Sequence, residues 1–124
     1  MLSKGSAKKV TIYVNVDTQH HFTTLYESIL MFLLHKGVAG ATATRALAGF
    51  GAHRLLHTPK VEVLADHLPI RVEFIETAEK VEELLPTLYD MVTDGLIEVQ
   101  DTTVVKIATK EKRRLEPKQP HERK

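Results

Sequence analysis

The sequence predicts an α+β domain: a four-stranded antiparallel sheet with two helices packed on one face. Three observations predict it. Hydrophobic periodicity switches between two and about 3.6 residues, in the order strand, helix, strand, strand, helix, strand. Glycine and proline punctuate most of those switches. The 124 residues, 43% of them hydrophobic, also suffice for one domain with its own core. This element order is the split βαβ, or ferredoxin-like, arrangement.

Each element has its own signal. Residues 10–16, VTIYVNV, place Val10, Ile12, Val14 and Val16 on one side and Thr11, Tyr13 and Asn15 on the other, which is a half-buried strand. Phe22, Leu25, Tyr26, Ile29, Phe32 and Leu33 recur at helical spacing, with Thr24 and Glu27 set as a capping box and Gly37 as the stop. A second strand runs from about Ala41 to Ala48. The third, LPIRVEFIE, alternates Ile70, Val72 and Phe74 against Arg71, Glu73 and Ile75. Thr77 caps the second helix, whose buried stripe is Val81, Leu84, Leu85, Leu88 and Val92, with Gly95 closing it. Pro86 lies within that helix and should kink it by removing a hydrogen bond. The last strand falls within residues 97–107, with TVVKI at its end the best match. Outward positions of the sheet, among them Thr11, Tyr13, Thr42, Thr44 and Ile75, are too mixed for open solvent, and an oligomer burying this face is the natural inference.

Charge divides the chain. Residues 109–124 hold seven Lys/Arg against three Asp/Glu, a net +4, so the body is −3 of the overall +1. The expected organisation is a flexible N-terminus at 1–8, the folded domain at 9–108 and a basic disordered tail at 109–124. No cysteine, no signal-peptide h-region and no apolar run of about 18 residues point to the cytoplasm.

Residues 41–60, ATATRALAGFGAHRLLHTPK, carry the chemistry. Gly49 and Gly51 flank Phe50, and His53, Arg54, His57 and Lys60 follow closely. Glycines there let the backbone approach a ligand, and N–H groups released at a strand end form an anion-binding nest. In isolation the same glycines fit a plain turn with Phe50 in the core.

The stretches GVAGATATRALAGFGAHRLLHT, LPIRVEFIET and LLPTLYDMVTDGLIEV closely resemble an uncharacterised family of small PII-like proteins, a domain of unknown function related to the PII nitrogen-regulatory signalling proteins. The likeness runs from about Val10 to Ile107. It rests most on Gly40-Ala41, Gly49-Phe50-Gly51, Leu56-His57-Thr58, Leu68-Pro69 and Asp94-Gly95-Leu96. PII proteins are ferredoxin-like homotrimers that bind adenine nucleotides in clefts between subunits. They carry a Gly-Phe-Gly step at the base of a mobile loop, the T-loop, that contacts a partner protein. The resemblance therefore implies a homotrimer with a small-molecule ligand, an adenine nucleotide or small anion, near residues 49–66. It assigns ligand binding to Arg45, Gly49, Phe50, Gly51, Ala52, His53, Arg54 and His57. It also implies a membrane transporter, a channel or a metabolic enzyme as the regulated partner.

Two departures bear on the ligand. PII proteins place a basic residue after the Gly-Phe-Gly step, where Ala52 stands here. Their basic loop after the second helix is replaced by TDGLIEVQD, with Asp94, Glu98 and Asp101. A ligand less charged than ATP is implied, with Arg45, His53, Arg54, His57 and Lys60 supplying positive charge.

Neither a metal site nor catalysis is expected. His53 and His57 are four apart, but no third ligand is set by spacing. No Gly-x-Ser-x-Gly elbow, Walker motif or activated acid–base pair occurs, and no cofactor is implied. The reading is a trimeric ligand sensor. Its alternative is a nucleic-acid-binding ferredoxin-like module using the basic tail. Against that, Tyr13 is the single aromatic of the first strand, where RNA-recognition sheets carry stacking pairs, so nucleic acid is disfavoured.

Overall fold

A computed structural model describes residues 1–50 and 68–110. Strand β1 (Gly5–Asn15) enters a two-residue hairpin, β2 (Gln19–His20) and β3 (Thr23–Thr24). Helix α1 (Leu25–His35), strands β4 (Ala41–Arg45) and β5 (Pro69–Glu76), helix α2 (Ala78–Met91) and strand β6 (Leu96–Val104) follow. The main sheet has the order β4-β5-β1-β6, every neighbour antiparallel, which is the ferredoxin-like arrangement.

The core lies between sheet and helices. From β1 come Val10, Ile12 and Val14, and from β5 Ile70, Val72 and Phe74. Leu25, Ile29 and Leu33 of α1 meet Val81, Leu84 and Leu88 of α2 over them. At about 25 cal/mol per Å² of apolar area, burying such aliphatic side chains is the main favourable term for the fold. Period-two and period-3.6 patterns thus converge on one layer.

Several boundaries differ from the sequence reading, each for a local reason. β1 starts at Gly5, because residues 5–13 pair in register with residues 96–104 of β6. The final strand is that same span and stops at Val104 rather than lying towards residue 107. Partner length in β1 outweighs the β-branched character of TVVKI. β4 ends at Arg45, short of Ala48. Phe22 leaves the helical stripe entirely. It is fully exposed in the β2–β3 turn beside His21, whose φ is 60°.

The helix ends are well specified. Thr24 is the N-cap of α1, yet its hydroxyl donates to the Glu27 carboxylate instead of capping a backbone N–H. Thr23 donates to the same carboxylate at 3.1 Å. At the other end the Gly37 N–H bonds to the Leu34 carbonyl and the Val38 N–H to the Leu33 carbonyl, both at 3.1 Å. With Gly37 at φ 77°, this is a Schellman stop. The Thr77 hydroxyl accepts the Lys80 N–H at 3.1 Å to open α2. Helix α2 is continuous through Pro86, which sits on its exposed side.

Candidate functional site

The strand directions bring the predicted site residues to one end of the sheet. β4 ends and β5 begins there, with Arg45 opposite Ile70 and Asn15 opposite Pro69. Two hydrogen bonds pin this end: the Ala46 N–H to the Pro69 carbonyl at 2.8 Å and the Val16 N–H to the Leu68 carbonyl at 2.9 Å. Gly49 lies against Pro69, where a Cβ would stand 3.5 Å from the ring. That is ordinary contact, so an alanine fits at this glycine. Phe50 is 58% exposed rather than part of the core, and Arg45 is exposed on the β4 edge. Gly51, Ala52, His53, Arg54, His57, Lys60, Asp66 and His67 fall outside the described residues.

The turn into β6 reaches the same end from the opposite edge of the sheet. Leu96 pairs with Tyr13, and Gly95 packs so closely that a Cβ there would come within 2.2 Å of the Tyr13 carbonyl oxygen. Thr44, Arg71, Tyr13 and Leu96 form one outward row across all four strands. Tyr13 and Leu96 remain exposed in the single chain, whereas Thr11 behind them is buried between Glu73 and Glu98. The outward face is charge-balanced beside that row: Glu73 sits 3.5 Å from Lys9 and 3.6 Å from Arg71.

Register separates the three acids that sequence reasoning had grouped. Asp94 stands at the end with Arg45 and Gly49, and Glu98 faces outward opposite Thr11. Asp101 pairs with Lys8 at the far end, five residues from Leu96 and so about 17 Å away. The Lys8 ammonium, through its hydrogen bond and then its charge, holds the Asp101 carboxyl below its usual range. Thr24, then Thr23, do the same for Glu27 by hydrogen bonding.

Sequence reasoning missed a hollow of about 600 Å³ at that far end, between Ser6, Lys8, Thr77, Glu79, Asp101 and Thr103. It also missed the role of Glu76, buried on the inner face, whose carboxylate accepts the Ala39 N–H at 2.7 Å and the Thr77 N–H at 3.2 Å. A charged residue ending a strand pattern gives no signal of burial. His20 and His21 stack edge to face with ring centroids 4.4 Å apart in the β2–β3 hairpin. Among the described residues no three His, Asp or Glu side chains gather closely enough to hold a metal ion. No helix among them is long and apolar enough to cross a membrane.

Comparison with known proteins places this geometry. The family model of DUF190, described as uncharacterized ACR, matches residues 7–104. A UPF0166 protein of Methanocaldococcus jannaschii is 28% identical over 106 residues, covering 85% of this chain and 97% of that protein. A UPF0166 protein of Aquifex aeolicus is 30% identical over 98 residues, covering 79% of this chain and 92% of its own length. Among solved structures, CPII, a nitrogen regulatory PII-like protein from Thiomonas intermedia K12 bound to ADP, AMP and bicarbonate, superposes with a TM-score of 0.59. It is 21% identical and covers 82% of this chain and 90% of that one. The fold is therefore PII-like.

Proposed function

This chain belongs to the DUF190 family, and from that premise we propose that it is a PII-like homotrimeric regulatory protein of the cytoplasm. It binds an adenine nucleotide or a small anion in clefts between subunits, near residues 49–66, and so controls a partner such as a transporter or channel. It acts as a sensor and not as a catalyst.

One observation carries the reading. Arg45 and Gly49 leave from the β4 edge, while Asp94, Gly95 and Leu96 enter at the β6 edge of the same sheet end. Four strands separate those edges by about 14 Å. A ligand held between two copies can meet the β4-edge set of one and the β6-edge set of the other. The exposed Tyr13–Leu96 pair supports such an assembly, because exposed apolar side chains on a mixed sheet face suit a partner copy. The CPII neighbour, bound to ADP, AMP and bicarbonate, supports the ligand class. Register supports a nucleotide further, since Asp101 is too distant to repel its phosphates.

Calorimetry with ADP, AMP and bicarbonate, each tested separately, checks the proposal alongside sedimentation equilibrium. A trimer binding a nucleotide once per subunit is expected. Arg45→Ala should weaken that binding by about 1.5–3 kcal/mol if it makes a charge-assisted hydrogen bond. A monomer without heat from any of the three ligands at millimolar concentration overturns it.

The nucleic-acid alternative gains nothing from the fold. Tyr13 is the one aromatic among the described outward sheet positions, so the sheet offers no stacking pair for bases.

A further inference from the structure

Helix α1 has more apolar surface than the core uses. Within LYESILMFLLH, apart from Tyr26, only Glu27, Ser28 and His35 carry polar side chains. A helix that is apolar on every side is normally buried all round. Here Leu25, Ile29 and Leu33 are buried, whereas Leu34 remains 68% exposed and Met31 50%. Fully exposed Phe22 adds to this surface at the head of the helix, since Thr23 beside it bonds to Glu27. The sheet face used by the proposed trimer lies on the other side of the domain, so that assembly leaves α1 uncovered.

The exposed face is symmetric in sequence. Glu27, Met31 and His35 are four apart and share one ridge, with Leu30 and Leu34 on its flank. An exposed acid and an exposed imidazole thus stand equally far, about 6 Å along the helix, on either side of Met31. The Thr24 and Thr23 hydroxyls both donate to Oε1 of Glu27, and these hydrogen bonds hold its carboxyl below the usual range. A carboxylate on the ridge disfavours an anionic membrane or a nucleic acid as the occupant.

We propose that the exposed face of α1 docks a second copy of this chain, the two helices packing antiparallel about a two-fold axis at Met31. Each Glu27 then accepts a hydrogen bond from the partner's His35, whose ring carries an N–H in either protonation state. Each Met31 meets its counterpart, and Leu30 and Leu34 close over the seam. An isologous contact needs every group and its complement on one surface, and this ridge supplies both. The contact is small, so it forms at a few hundred micromolar, above the concentrations at which the trimer is tested. In the proposed trimer each particle bears three such faces, and the contact joins particles into larger assemblies.

Cysteine cross-linking and sedimentation velocity test this. The chain has no cysteine, so Met31→Cys introduces a unique thiol. Helices about 8–10 Å apart, each with a Cα radius of about 2.3 Å, bring the two Cα atoms to about 3.5–5.5 Å, within reach of a disulfide. At about 300 µM protein, copper–phenanthroline should link this variant at least about tenfold faster than Glu82→Cys, a control on the exposed side of α2. Wild-type protein at that concentration should sediment at no less than twice the mass of Leu34→Asp. Glu27→Lys and His35→Glu should each weaken the association at least about fivefold, and together restore it. The restored pair sets a base at the helix start and an acid at its end, against the macrodipole, so recovery cannot come from a more stable helix. Circular dichroism checks that each variant is folded, and Met31→Cys and Leu34→Asp, both at exposed positions, carry the test if the exchanged chain is not. Leu96→Asp, which tests the sheet-face assembly separately, should keep the Met31→Cys cross-link. Any one of three results overturns the proposal: equal masses for wild type and Leu34→Asp, oxidation of Met31→Cys no faster than the control, or a folded double variant no better than the single ones.

Discussion

Gly95→Ala tests whether the β1–β6 join depends on one missing side chain. A Cβ at this position lies 2.2 Å from the Tyr13 carbonyl oxygen, whereas a carbon–oxygen contact settles at about 3.3 Å. About 1.1 Å of overlap must be relieved. The obstacle is backbone inside the paired register, so no rotamer change removes it; only Val92, 3.1 Å away, can swing aside. Overpacking typically costs about 1–3 kcal/mol, and a backbone obstacle puts this case near 3. Gly40→Ala is the control, with nothing within 4 Å of its Cβ and no positive φ. It should gain about 0.4–1 kcal/mol by restricting the unfolded chain. Urea unfolding followed by circular dichroism, at matched protein concentration, reads the difference. With a slope near 2 kcal/mol per M, the Gly95→Ala midpoint should fall by about 1.5 M while the control holds or rises. Midpoints within about 0.3 M of each other would refute the close-approach argument.

Three further outcomes follow. Leu96→Asp should convert the proposed trimer to monomer in sedimentation velocity, because it places a charge beside Tyr13 on the outward row; an unchanged trimer moves the interface elsewhere. Glu76→Ala strands the Ala39 and Thr77 N–H groups and should cost about 2–4 kcal/mol, against about 1–2 for Glu76→Gln, which keeps one carbonyl acceptor; equal losses in chemical denaturation deny the clamp. Asp101 is depressed by Lys8, so the pair's contribution is full above the unfolded aspartate value and disappears as pH falls through the folded one; in an NMR titration Lys8→Ala should move Asp101 up towards the usual carboxylate range, and a static Asp101 denies the coupling.

The fold was legible where burial and period coincide. Val10, Ile12 and Val14 alternate, Leu84 and Leu88 repeat at helical spacing, and both sets reach the core as expected. Legibility failed where a pattern was satisfied by chance. Phe22 continues the helical spacing of Leu25, Tyr26 and Ile29, but His21 at positive φ turns the chain before the helix begins. Gln19–Thr24 shows no strand signal, because two residues per strand cannot establish an alternation. Thr11 was expected to face outward and does, yet it is buried because longer neighbours on both flanking strands overhang it.

The candidate site was legible as composition but not as geometry. Gly49, Phe50 and Arg45 were read from one contiguous stretch, and the structure keeps them together at one sheet end. The acids after α2 were also read as one group, and there contiguity misled. A helix winds nine residues into about 14 Å, whereas a strand carries the same nine over about 30 Å. Asp94 and Asp101 therefore belong to opposite ends of the domain, one beside the proposed ligand cleft and the other beside Lys8 and the start of α2. That separation divides electrostatic labour. Charge changes at Asp94 should alter the affinity for an anionic ligand, whereas Asp101 balances Lys8 at the opposite end of the sheet.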